Sequence, residues 1–473
     1  QGDSHINIHG GSLIISNRSS RINNTGSINV LDGGRFISQS SFELAGAGGT
    51  GDRPLLNVMD GSAVFGGFSA GARGSGTVVI AASGVWTNTG TLQFGVNPPT
   101  GNHPGVGVLI STGNVFSSGD IYLGRNRTNA SSFGSIVVAG GTFQQMGANR
   151  LVRIGEQNKG FVTVEGGSFI STNSLLLGVN NRNEASGLMQ RGDGTVLVTG
   201  TGAMAVTNAA GTASITLGTT SAVADADRAI GRLTVASGSL DADVVRVQNG
   251  VFTNSGGTST IGNLLATTNT AAIALTGGTL NLGASTINNG QALVLGDGIG
   301  AATLNLTGNG SHSFADGLLL SANSLLAGAG TINGSLTNFG TIAPGIIAVN
   351  GDAVLADTSL LLMEMAGTGA TDFDQFNVTG LLGFDGTLTV TLTNGFTPQV
   401  GDIFDLFDFG ATNGLAFDTV NLPDLVGALW DTTDLYVGGS IAVVIPEPGT
   451  FALLGIGTLL LLLFVARSRR PSL

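Results

Sequence analysis

The chain has no cysteine, so disulfides and thiolate metal sites are excluded. It has a single lysine, Lys159, and only 10% charged residues. Residues 247–466 contain no Lys or Arg at all, against 16 acids (30 in the whole chain less the 14 in residues 1–246). A surface without a basic patch cannot neutralise a phosphate backbone, so nucleic acid is excluded as a partner. Tryptophan and tyrosine number two each against 23 phenylalanines, which leaves few platforms for sugar stacking. Prolines are also few, at 10 in 473 residues.

Glycine is abundant, at 78 residues, and it punctuates short apolar runs. In GFVTVEGGSFISTNSLLLG (160–178) an alternating run, Phe161 to Val164, meets Gly166-Gly167. A short run with Phe169 follows, then an Asn-containing turn, then Leu175 to Leu177 closed by Gly178. The runs are too short for helices and read as three strands.

The unit recurs. GSIVVAGGTF (134–143) leads to LVRIG, GTVVIAASGVW (76–86) to TLQFG, GVLISTGNVF (107–116) to DIYLG, and GTVLVTGTGAM (194–204) to SITLG. The bulky residue after each turn gives the register Phe36, Phe65, Trp86, Phe116, Phe143, Phe169, Met204, Leu240. One unit cannot bury its apolar side alone, so neighbours stack on it. The expected fold is all-β, a parallel β-helix (β-solenoid) with rungs at roughly 4.8 Å and this column inside. About a dozen coils make a rod on the order of 60 Å long.

Four segments are expected. Residues 1–250 are repeats with loop insertions, and 251–345 are simpler repeats. Residues 346–444 form an acidic β-rich cap that protects the open sheet edge. Residues 445–473 are a C-terminal tail. Insertions cluster after the closing Gly of each unit and carry Arg125, Arg127, Glu156, Lys159, Arg182, Glu184, Arg191, Asp193, Asp225, Asp227 and Arg228. In solenoids such a corner is often the binding face, and a solvated edge reads equally from the mixed charges. The chain starts at Gln1, not Met, inside what already looks like a repeat; the expectation is that a signal peptide was removed or that the sequence begins within a longer one.

Gly449 to Ala466 is uncharged, and as a helix would span about 27 Å, near the roughly 30 Å of a hydrocarbon core. Arg467, Arg469 and Arg470 follow and flank a membrane anchor on the cytoplasmic side. Pro446-Glu447-Pro448 stands just before it. Two prolines keep that tripeptide extended.

This order of tripeptide, apolar helix and Arg resembles the PEP-CTERM protein-sorting signal over residues 445–470. The resemblance implies Gram-negative bacteria that make exopolysaccharide, with an exosortase as partner. Pro446, Glu447 and Pro448 are then a processing signal. It further implies an exported precursor anchored in the inner membrane, then a cell-surface or extracellular protein. LLAGAGTINGSLTNFGTIAPG (325–345) resembles the passenger-associated transport repeat of bacterial autotransporters, through Leu326, Gly328, Gly330, Thr331, Ile332, Gly334, Asn338, Gly340, Thr341, Ile342, Pro344 and Gly345. It implies a secreted β-helix and no chemistry.

The function expected is a non-catalytic structural protein of the surface or matrix, associated with exopolysaccharide or biofilm. An autotransporter-like adhesin passenger is one alternative. A β-helical polysaccharide lyase or hydrolase is another, but Asp120, Glu156, Glu165 and Asp193 are scattered, and His5, His9, His103 and His312 stand alone. No catalytic residue and no metal ligand set is expected. Asp372 and Asp374, with Asp402, Asp405 and Asp408, offer the oxygen ligands Ca²⁺ takes, without EF-hand spacing. No other cofactor is expected. Arg191-Gly192-Asp193 spells an adhesion tripeptide, which so Gly-rich a chain produces by chance.

Overall fold

A computed structural model describes residues 5–445 and 457–465, apart from 17–18, 23–24, 45–52, 72–73, 97–104, 126–130, 180, 183–188 and 220–228, and without side chains at 181–182 and 189–190. Strands dominate it. Thirty-eight of them form one continuous sheet, and every ladder inside that sheet is parallel and joins one coil to the next. The arrangement is consistent with a parallel β-helix, as expected. The unit at 160–178 folds as three strands, Lys159–Val164, Ser168–Ser171 and Leu175–Val179.

Three faces result, each with an inward column. On the first, Leu109, Ile136, Val162, Val196 and Leu233 lie one over another. On the third, Leu92, Ile121, Val152, Leu175, Ile215 and Val245 do the same. The alternation within each strand sends these residues into one apolar core that runs from Ile8 to Val443.

The corner after the third face requires glycine. Gly178 has φ +71°, and a Cβ there would lie 2.1 Å from the carbonyl oxygen of Ile230. The next coil begins with a glycine for the same reason: a Cβ on Gly160 would lie 2.1 Å from the amide nitrogen of Gly155. The punctuation seen in the sequence is therefore a close approach of backbones at one corner.

The aromatic column on the second face differs from the expected register at two places. Its true members are Phe36, Ala63, Trp86, Val115, Phe143, Phe169, Met204 and Leu240. Phe65 pairs with Ser38 and Asn88, two positions along its strand. An even shift keeps it inside, where it meets Phe36 at 5.3 Å and Trp86 at 5.7 Å between ring centroids. Phe116 is shifted by one and faces outward, between Thr87 and Gln144. The cause is turn length. Ser111 and Val138 are register partners, but the turn after Ser111 is one residue shorter than Ala139-Gly140-Gly141. An odd shift reverses the side chain.

The change of texture at 346 is not a change of sheet. Ile342 pairs with Leu361, Leu361 with Leu388, and Leu388 with Val420, so the parallel ladder continues to Thr419–Asn421. A small antiparallel sheet of Ile403–Asp405, Ser440–Val444 and Leu429–Asp431 closes the far end. Phe384 packs there against Phe407, Phe409, Phe417 and Tyr436.

The expected 18-residue membrane helix is not seen at that length. The described helix covers 457–465, nine residues or about 13 Å. Among the described residues no helix is long and apolar enough to cross a membrane. The remainder of Gly449 to Ala466 lies outside the described residues, as do Pro446, Glu447, Pro448, Arg467, Arg469 and Arg470.

Candidate functional site

Among the described residues, the corner behind the closing glycines brings Arg125, Arg153 and Glu156 together. Parallel register sets Arg153 one rung beyond Tyr122 on the outer side of the third face. Arg125 reaches back over the same ring, with its guanidinium carbon 4.6 Å from the ring centre, and that of Arg153 at 5.9 Å. Such cation–π contacts favour the charged guanidinium. Glu156, three residues after Arg153, is fully buried. Its Oε1 meets Nη1 of Arg153 at 2.5 Å, and its Oε2 faces Nε of Arg125 at 3.4 Å. A buried carboxylate needs such partners.

Gln157 follows in a left-handed conformation, φ +70°, and donates its backbone N–H to Val179 O at 3.2 Å. Among the described residues, neither amide atom of its buried side chain has a hydrogen-bond partner. The hydroxyl of Tyr122 donates to Asp120 Oδ2 at 3.4 Å. Burial, and then the nearby Asp120 carboxylate, push the Tyr122 hydroxyl above the usual phenol range.

This geometry makes a clamp rather than a proton-transfer pair. Both oxygens of Glu156 face guanidinium groups, and a phenol raised in pKa is a poor base at neutral pH. Of the four scattered acids, the fold brings Asp120 and Glu156 together around Tyr122. Glu165 stands exposed in a turn. Asp193 pairs with Arg232, so the Asp of Arg191-Gly192-Asp193 is engaged at the start of a strand. Asn181–Arg182 and Met189–Gln190 pair as a small antiparallel hairpin in the same insertion. Arg127, Glu184, Asp225, Asp227, Arg228 and His103 lie outside the described residues.

The remaining histidines are separate: His5 meets Ser27, His9 meets Asp32, and His312 is buried beside Ser285. Three of the acids offered for Ca²⁺ accept backbone hydrogen bonds. Asp372 accepts from Gly369 N, Asp374 from Glu364 N and Asp402 from Gln399 N. Among the described residues no group of three His, Cys, Asp or Glu could hold a metal ion. Burial, with Asp408 and Asp434 nearby, raises the Asp405 carboxyl.

Two residues escaped the sequence reading. Tyr122 and Arg153 lie 31 positions apart, and only the register brings them together; each occupies the centre of its xLG or xIG strand, which was the available signal. Trp430 donates its indole N–H to Pro423 O at 2.8 Å, and Tyr436 accepts from Phe417 N at 3.2 Å. These aromatics are tied into the far end of the protein.

At that end Ser440–Val444 is the last strand. Beyond it, the helix at 457–465 exposes Leu459 to Val465 without packing on the core. Residues 444–470 match the PEP-CTERM protein-sorting motif. The match begins on the final residue of the last strand, so the sorting motif adjoins the β-sheet body with no intervening module. No curated protein matches the chain.

Proposed function

We propose that this protein is a non-catalytic β-helical rod that is exported and sorted by its C-terminus, and acts at the cell surface or in the extracellular matrix. The match at 444–470, joined directly to the last strand, carries the reading. An exosortase recognises Pro446-Glu447-Pro448 on a precursor held in the inner membrane by the apolar segment and by Arg467, Arg469 and Arg470. Removal of that segment frees the rod. Mechanically, a continuous parallel ladder is a stiff spacer, since each rung is fixed by hydrogen bonds to two neighbours. The clamp at Glu156 pairs both carboxylate oxygens with guanidinium groups rather than with an acid–base partner, which supports a structural role. The passenger-like stretch 325–345 folds as ladder strands, Ser324–Asn333, Leu336–Asn338 and Thr341–Asn350, which suits a secreted β-helix.

The test is the mass of the mature protein made in a bacterium that carries an exosortase. A product lacking the helix and Arg470, with a Pro446→Ala/Glu447→Ala variant left full length, supports the reading. Intact protein ending at Leu473 in both cases overturns it.

A further inference from the structure

We propose that the turn between the second and third faces, not the insertion corner, is a binding strip for an acidic linear polysaccharide. Two open depressions adjoin there. The first, of about 380 Å³, surrounds Phe116 with Thr87, Ser118, Gln144 and Met146. The second, of about 370 Å³, is lined by Asn149, Arg150, Asn173, Asn208 and Thr212. Met146 lines the first and Ala148 the second, so one turn joins them.

The chemistry of the two differs in a way that fits one ligand. In the first, the short turn has placed a phenylalanine ring on an outer face, flanked by a carboxamide and hydroxyls. A pyranose offers an apolar ring face for the aromatic and equatorial hydroxyls for the rim. The second is polar. Asn173 holds the turn in place by donating to Gln145 Oε1 and Gly147 O, and it accepts from the Arg150 backbone. Arg150 is exposed and makes no ion pair among the described residues. Two carboxylates near this turn are engaged by backbone: Asp243 accepts from Asn208 N and Ala213 N, and Asp120 Oδ1 from Leu151 N. A guanidinium in that setting suits a sugar carboxylate.

A peptide is disfavoured. The strands here are paired on both sides, so none offers a free edge. The strip crosses the rungs of Thr87, Phe116, Gln144, Thr172 and Asn208, four steps or roughly 19 Å, which accommodates several sugar units. The proposal deepens the matrix reading above and rests on it.

The experiment uses the full chain and fluorescently labelled hexasaccharides, one polyuronate (alginate) and one neutral (cellohexaose). Binding should favour the polyuronate. Arg150→Gln should erase that preference, bringing polyuronate binding down to the level of the neutral chain. Phe116→Ala should weaken both by about tenfold, with thermal unfolding showing the variant folded. Binding to neither oligosaccharide overturns the proposal, as does binding that ignores both substitutions or prefers the neutral chain. C-terminal processing is read separately by mass, so failure of the strip and failure of the sorting reading are distinguishable.

Discussion

Phe143 and Phe169 stack face to face on successive rungs, with ring centroids 5.1 Å apart and planes 2° from parallel. Both are buried, and Phe169 continues the column to Met204. Phe143→Ala should destabilise the protein by about 3–5 kcal/mol, the cost of emptying a buried aromatic site. Phe116→Ala, from the outer face, should stay within about 1 kcal/mol. Denaturant midpoints of the two variants check the pair. Equal losses would mean that the register assigned to Phe116 is wrong.

Gly178→Ala should be costly for two reasons that add. Its φ of +71° strains an L-residue, and the new methyl meets Ile230 O. Gly211 has a similar φ of +66° with nothing within 4 Å, so Gly211→Ala isolates the strain alone, on the order of 1–2 kcal/mol. The difference between the two melts reports the corner contact.

Stability should depend on pH through two opposed groups. Burial lowers His312 to about 4 from 6.5; its Nε2 has no partner among the described residues, and its ring lies 6.4 Å from that of Phe314. The unfolded chain therefore binds more protons between those values, and stability falls as pH drops from 6.5 towards 4. Asp374 is half-buried and raised to about 6 from 3.8 by burial, with Glu364 adding repulsion. There the native state binds more protons, so stability falls as pH rises from 3.8 to 6. Between 4 and 6 the two slopes oppose each other, and only His312 acts from 6 to 6.5. His312→Leu should therefore leave a profile that declines with rising pH, and Asp374→Asn one that rises. Midpoints measured from pH 4 to 7 distinguish them.

Glu156→Gln should cost about 1–3 kcal/mol, because two guanidiniums lose the anion between them. Arg153 and Arg125 keep partial access to water, which holds the loss below that of a fully buried pair. A double-mutant cycle with Arg153→Gln should return a coupling energy well above zero. Simple additivity would show that the clamp contributes nothing as a unit.

Much of the ladder could be read directly from residues. The three strands of the 160–178 unit, the closing glycines at 155, 178 and 218, and the order from Phe143 through Leu240 all follow from local alternation and turn chemistry. The clamp was half legible. Its residues stood in the insertion segments, but Tyr122 and Arg153 meet only across coils. The binding strip was not legible at all, since Asn173, Arg150 and Asn208 are unremarkable turn residues until stacked. The same holds for 346–421, whose uneven spacing hides pairings as long-range as Leu361 with Leu388.

By itself, then, the amino-acid order determined that this chain makes glycine-bounded strands with one apolar edge and carries a sorting motif behind them. Those are local properties, set by allowed dihedrals, side-chain alternation and contiguous motif residues. Which aromatic points inward, where the ladder ends and which charges share a corner were decided only when coils stacked. A turn shorter by one residue offsets the sequence by one against the neighbouring rung, so Val115 takes the inward place beside Phe143 and Phe116 is left facing out.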